Sequence, residues 1–269
     1  MATETVRLET RGAVALLTLN RPDEGNALNL QMAMDLLAAA LACARDGALR
    51  AVVLTGAGRH FCFGGDLRAM HGRTTGADYI RELTTYLHGA IAHFMRMDAP
   101  VIAAANGTTA GAGIGLLAMA DLAVCAADAK FNLAYTRAGL TPDAGTSFLL
   151  PRQIGARRTL ELLLLNRTLG AEEALAWGLV NEVQPAAQLL ARSLALAAQL
   201  ARGARGAIGA TKRLLADSLG ALESQMIRES EAIAARAESE EGREGIRAFL
   251  EKRAAHFPGA PPAESEAPP

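Results

Sequence analysis

A chain of 269 residues is long enough to bury a sizeable core, either as one large domain or as a domain with an appendage. Its apolar share of 51%, charged share of 20% and formal net charge of -1 leave no basic footprint for nucleic acid or anionic lipid. The opening MATETVRLET has no basic stretch followed by an apolar run, and Gly, Asn or Asp interrupts each apolar run before membrane-spanning length, so a soluble, cytoplasmic protein is expected.

In chain order, AVALLTLN (13–20) reads as the first strand, and Asn29 as the cap of a helix running to about Arg45. Leu30, Met32, Met34, Leu37 and Leu41 are among that helix's apolar positions. A strand AVVLTG (51–56) leads into the small-residue loop GAGRHFCFGGDL (56–67). The next helix is expected over 78–97, with Ile80, Leu83, Leu87, Ile91 and Phe94 on one stripe, His88 at its flank and His93 opposite. VIAAANG (101–107) and DLAVCA (121–126) are further strands, separated by a second small-residue loop, NGTTAGAGIG (106–115). Strands alternating with helices give an α/β fold. After residue 183 the chain turns rich in Ala, Leu, Glu and Arg, and helices are expected over 189–201 and 207–252. The division is thus a core over 1–195, a helical region over 196–257 and a disordered Pro- and Ala-rich tail over 258–269.

Cys43, Cys62 and Cys125 are odd in number and widely spaced, which suits buried hydrophobes better than disulfides or thiolate ligands. The five histidines show no ligand spacing, so no metal is expected. Both small-residue loops let a backbone bend tightly and present N–H groups to a ligand or a developing oxyanion, although ordinary turn chemistry explains either one alone. In GLTPDAGTSF (139–148), Asp143 is one carboxylate among small and apolar residues, readable as the cap of a helix starting near Gly145 or as a functional acid.

The ordered set NRPDEGNALN, TGAGRHFCFGGDL, NGTTAGAGIGLLAMADLAVCAADAKF, GLTPDAGTSFLLPRQIG, AEEALAWGLVNEV and EGIRAFLEKRAAHF resembles the enoyl-CoA hydratase/isomerase family, the crotonase superfamily, over about residues 6–257. The resemblance implies a ClpP-like spiral of ββα units with C-terminal helices that build a homotrimer, often stacked as a dimer of trimers. It implies an acyl-CoA thioester as substrate, no separate cofactor, and stabilisation of the thioester enolate by the backbone N–H groups of Gly65 and Ala112. Coenzyme A would be held near Asn26 and Ala27, by Phe63, Asp66 and Leu67 of the first loop, and by Phe249 and Lys252 of the last helix. Phe249 as a packing residue and Lys252 as a solvated charge are the plain alternatives. The carboxylates of Asp66 and Asp121 read as loop and helix-end structure.

Family hydratases use two glutamates, and those positions hold Gly115 and Tyr135 here. Asp143 lies where the phenylacetate-pathway isomerases and the 4-chlorobenzoyl-CoA dehalogenases resemble one another in carrying an aspartate. A carboxylate in a dry apolar pocket is poised for proton transfer, so an enoyl-CoA isomerase with Asp143 as acid and base leads. A dehalogenase-like hydrolase, with Asp143 as nucleophile and His88 as base, is the alternative, followed by a hydratase acting through Asp143 and a non-catalytic CoA-binding homologue. Tyr135 would bond substrate or Asp143, or sit half-buried with its hydroxyl at the surface, and His88 alone reads equally as a packed histidine.

Overall fold

Runs of Val, Leu and Ala flanked by turn residues form the central strands, and their full burial demands cover on both faces. The structure, a computed structural model, describes residues 5–71, 76–215 and 219–258. β1 (Val6–Arg11), too polar to stand out in the sequence, pairs antiparallel with β2 (Val14–Leu19) at the edge of the large sheet. β2 leads to α1 (Leu30–Arg45), and β3 (Ala51–Gly56) leads to α2 (Leu67–Met70) and α3 (Gly76–Arg96). β4 (Val101–Ala105) and β5 (Thr109–Ala110) precede α4 (Ala112–Ala118). β6 (Leu122–Ala126) and β7 (Lys130–Asn132) precede α5 (Thr146–Gln153) and α6 (Ala156–Leu165). β8 (Thr168–Gly170), α7 (Ala171–Trp177) and β9 (Glu182–Gln184) follow, and the chain continues as α8 (Ala186–Ala201), α9 (Arg205–Leu215), α10 (Leu219–Glu238) and α11 (Glu240–Leu250).

The large sheet has the order β1-β2-β3-β4-β6-β9 and is parallel from β2 onward. A second sheet, β5-β7-β8, is continued by single parallel bridges between Cys62 and Thr109 and between Leu28 and Gly65. Successive turns of the chain therefore run from a strand in the large sheet to a short extended stretch in the second layer and then to a helix. This is the expected spiral of ββα units, and both small-residue loops prove to carry its second-layer stretches.

Asn29 caps α1 as expected, its Oδ1 accepting from the Met32 N–H at 2.9 Å. The buried face differs in part from the expected one: Met32, Ala33, Leu36, Ala39, Ala40 and Cys43 face inward, while Met34 is exposed. In so Ala-rich a helix nearly every position is apolar, and periodicity alone leaves the face open. On α3 the expected stripe Ile80, Leu83, Leu87, Ile91 and Phe94 is buried. The boundary expected at 195 falls inside α8, which packs across β2, β3, β4, β6 and β9. α10 folds back against α3 and α5, and α11 lies over a 3-10 turn at 136–138, so the C-terminal helices close onto the second layer. The tail from 259 onward lies outside the described residues, and no described helix is long and apolar enough to cross a membrane.

Candidate active site

A cavity of about 870 Å³ opens between the second layer, α3 and the C-terminal helices. Gly65, Ala112, Tyr135 and Asp143 all contribute to its wall, with Ile80, Leu83 and Leu87 of α3 supplying an apolar side. The two expected oxyanion donors are backbone groups, so local chain shape places them. In the bridge to Leu28, Gly64 O accepts from Leu28 N–H at 2.7 Å and Asp66 N–H donates to Leu28 O at 2.9 Å. Alternation along the strand then turns the Gly65 N–H away from Leu28. Ala112 begins α4, where first-turn N–H groups have no acceptor within the helix. The two loops touch: a Cβ at Gly64 would lie 2.9 Å from Ala112 N and 2.8 Å from Ala110 O, and Gly64 has φ +83°. Only glycine fits there.

Asp143 is 4% exposed, and its Oδ1 lies 2.7 Å from His88 Nε2. The capping alternative fails: α5 has Gly145 at its N-cap and no side-chain cap of its own, because the Asp143 carboxylate turns the other way, toward α3. The Asp143 carbonyl accepts from Thr146 N–H at 3.2 Å and from Thr146 Oγ1 at 2.7 Å. Ala144 and Gly145 follow with φ +57° and +75°, a sharp left-handed turn. Tyr135 is buried, and its hydroxyl donates to the Asp143 carbonyl at 3.2 Å, so it reaches neither the carboxylate nor the surface. Burial, then the charges of Asp143 and Glu229, hold this phenol well above its ordinary range, so it stays a neutral donor.

Burial alone pushes the His88 imidazole down, but the Asp143 charge, the hydrogen bond to it and the Glu229 charge together raise it above its usual value. His88 is not among the residues that line the cavity, whereas Asp143 is. The imidazole therefore stands behind the carboxylate. Glu229, from α10, is the residue that the sequence reading missed. Its carboxylate is buried and accepts from the Gly145 N–H at 2.7 Å and the Ser147 N–H at 3.0 Å. Its signal is an acid within an apolar stripe, since Leu222, Met226, Glu229 and Ile233 are all buried on one face of α10. One ligand atom from each of His88, Asp143 and Glu229 lies within 4.8 Å of the others, but a cation there would displace the hydrogen bonds that already engage these atoms.

The vacant hydratase positions have physical occupants. A Cβ at Gly115 would sit 2.4 Å from Ala144 O and 2.6 Å from Ala144 Cβ, so the Asp143 turn fills the space into which a side chain at 115 would project. At the cavity mouth, Ala27, Phe63, Asp66, Leu67, Phe249 and Lys252 are all in the wall. Asn26 itself is not, although its neighbours Gly25 and Ala27 are: its fully buried amide accepts from Arg21 N–H and donates to Ala57 O and His60 O, clamping two loops together. The Asp66 carboxylate pairs with Arg21 at 2.9 Å and caps α2, a structural use that agrees with its reading as loop chemistry. Phe249 is 61% exposed at the end of α11, and the Phe63 ring packs tilted against His60 with centroids 4.4 Å apart. Burial raises the Cys62 thiol to about 12, which fits an inert packed cysteine.

A family model described as enoyl-CoA hydratase/isomerase matches residues 9–260. The chain is 40% identical to a probable enoyl-CoA hydratase of Rhodobacter capsulatus, with 96% of this chain and 100% of that protein covered. It is 35% identical to the 1,2-epoxyphenylacetyl-CoA isomerase of Escherichia coli, with 91% and 95% covered. Among solved structures, an enoyl-CoA hydratase from Mycobacterium avium subsp. paratuberculosis superposes with a TM-score of 0.86 at 29% identity, covering 94% of this chain and 98% of that one.

Proposed function

The chain belongs to the enoyl-CoA hydratase/isomerase family, and on that premise we propose that it moves a double bond in an acyl-CoA thioester, with Asp143 as the single acid and base. The observation that carries this reading is the wall of the cavity. Of the four acids among its described lining residues, Asp23 and Glu24 are exposed, Asp66 is held by Arg21, and Asp143 alone is buried. The Ala144 turn leaves no room for a hydratase glutamate at 115, and Tyr135 occupies the other position.

In this mechanism Asp143 takes a proton from C2 of a 3-enoyl-CoA, and the electron pair spreads into a dienolate whose oxygen accepts from the Gly65 and Ala112 N–H groups. The carboxylic acid then returns the proton at C4, which leaves a conjugated 2-enoyl thioester. No further cofactor is needed. His88 Nε2, 2.7 Å from Asp143 Oδ1, holds the carboxylate in place for this work. The mouth residues Phe63, Phe249 and Lys252 would hold coenzyme A, and the apolar α3 side would take the acyl group.

A second reading is favoured by the 2.7 Å contact between His88 and Asp143: a dehalogenase-like hydrolase in which Asp143 attacks an aromatic ring carbon and His88 directs water. The imidazole's place behind the carboxylate, out of the cavity wall, weighs against it. We also propose a homotrimer. The support is the apolar side chains left bare on the helices, Leu164 and Leu165 on α6 and Leu214 and Leu215 on α9, and light scattering would give three times the 28.1 kDa chain mass.

The test is conversion of a straight-chain 3-enoyl-CoA to its 2-enoyl isomer by wild type and Asp143→Asn. Turnover by the wild type with a loss of about 100-fold or more in the variant is expected. An inactive wild type that hydrates crotonyl-CoA, or releases chloride from 4-chlorobenzoyl-CoA, sinks the isomerase reading.

A further inference from the structure

The turn that aims Asp143 is not self-supporting. It places two successive residues, Ala144 and Gly145, in the left-handed region, which an L side chain such as Ala144 adopts at a cost and keeps only where the surroundings fix it. It also opens α5, whose first N–H groups lack partners in the helix and whose own sequence supplies no side-chain cap. The missing acceptor comes from 84 residues away. Glu229 takes the Gly145 N–H on Oε2 and the Ser147 N–H on Oε1, and Oε1 also accepts from Ser147 Oγ. One turn earlier on the same helix, Gln225 Nε2 donates to Ser147 Oγ at 2.8 Å.

We propose that Glu229 is the positioning residue of this site: a carboxylate delivered by the C-terminal helix α10 that caps α5 and thereby locks the turn holding Asp143 against His88 and toward the cavity. The inference rests on the reading of Asp143 as the acid and base. Glu229 is not in the cavity wall and touches no substrate, so its action runs through the turn. The register of α10 is set against α3, the helix that carries His88, by the Thr84 and Ser230 hydroxyls at 2.6 Å and by the Arg81–Glu231 ion pair at 3.2 Å. Three helices from distant parts of the chain thus meet at one point, with the imidazole on α3, the turn ahead of α5 and the capping carboxylate on α10. The charge of Glu229 acts in the same sense as its hydrogen bonds, since together with Asp143 it helps to hold the imidazole above its ordinary value. Burial, the largest influence on Glu229 itself, raises that carboxyl above its own usual range, as expected of an acid sharing a dry site with Asp143.

The test is Glu229→Gln, which keeps size and one carbonyl acceptor but turns an amide donor toward the Gly145 N–H. In the isomerase assay kcat should fall by about 10- to 100-fold, the scale of a misplaced reacting group, while KM for the acyl-CoA changes less than about two-fold. Ser224→Ala, on the same helix but exposed and bonded to the Gly220 carbonyl of that helix, should leave both constants unchanged. Independently of turnover, the hydrogen-bonded imidazole proton of His88, resolved in 15N-histidine-labelled protein and assigned with His88→Gln, should move upfield and exchange faster in Glu229→Gln as Asp143 loosens. An unchanged kcat together with an unmoved imidazole signal overturns the proposal, as does a fall in kcat that Ser224→Ala reproduces. If Glu229→Gln does not fold, Ser147→Ala removes one of the three bonds and should lower kcat several-fold, and a wild-type kcat there overturns the proposal as well. A wild type with no isomerase activity defeats the functional reading alone, and the His88 signal then decides the role of Glu229.

Discussion

Two parts of the cavity wall are built on opposite principles. The two small-residue loops, the proposed oxyanion donors, are local objects: the N–H groups of Gly65 and Ala112 are main-chain, and what matters is that Gly64 bends left-handed and leaves room for the next loop. The cluster around Asp143 is a tertiary object, assembled from residues 88, 143 and 229, each on a different element. A backbone donor needs only the right chain path, whereas a buried acid needs partners that stabilise its charge and its aim.

The sharpest way to break this contrast is Gly64→Ala. A Cβ 2.8 Å from the Ala110 carbonyl and 2.9 Å from Ala112 N at φ +83° must push the two loops apart and misplace both donors at once. A loss of about 100- to 1000-fold in kcat is expected, the scale of removing one oxyanion donor, with Asp143 and His88 still in contact. A near-wild-type kcat would mean that the loops are ordinary turns. His88→Gln probes the other side with a smaller effect. Glutamine can still donate to Asp143 but carries no charge, so kcat should drop by about ten-fold and the rate should no longer follow imidazole titration. A variant as dead as one lacking the acid itself would instead make His88 a participant in the chemistry and revive the hydrolase reading.

The smallest effect is on stability. His88 binds its proton more tightly folded than unfolded, so its contribution is complete below the ordinary value of 6.5 and is lost as pH rises through the raised folded value. Glu229, raised above 4.5, acts in the same direction over a more acidic window. Glu244 has the opposite sign. Hydrogen bonds from Arg253, from the His256 N–H and from Arg247 hold that carboxyl far below its usual range, and its contribution is lost progressively as pH falls below the ordinary value of 4.5. Denaturant midpoints should therefore fall gently from pH 6.5 upward, and His88→Gln should flatten that slope. A slope equal in wild type and variant would show that the pair carries no net charge coupling.

Much of this was legible before any coordinates. Asn29 as a cap, the α3 stripe and the four apolar strands depend on local spacing, and the ordered motifs named the family. The second-layer stretches were not legible as strands, because two or three residues among glycines carry no period. The bonding of Asn26 was hidden for a related reason: its fully buried amide is consumed by backbone groups some thirty residues away along the chain, which no local motif reveals. Glu229 was visible only as an acid in an apolar stripe.

The sequence by itself determined the parallel core, the glycine-bent loops and the absence of the two hydratase glutamates, because these follow from residue type and neighbours along the chain. Only the folded arrangement decided where the Asp143 carboxylate points. Whether that carboxylate capped its own helix or met an imidazole depended on where α3 and α10 came to rest, and helix packing is set by burial over the whole molecule, with the Ala144 turn claiming the space that a side chain at 115 would need.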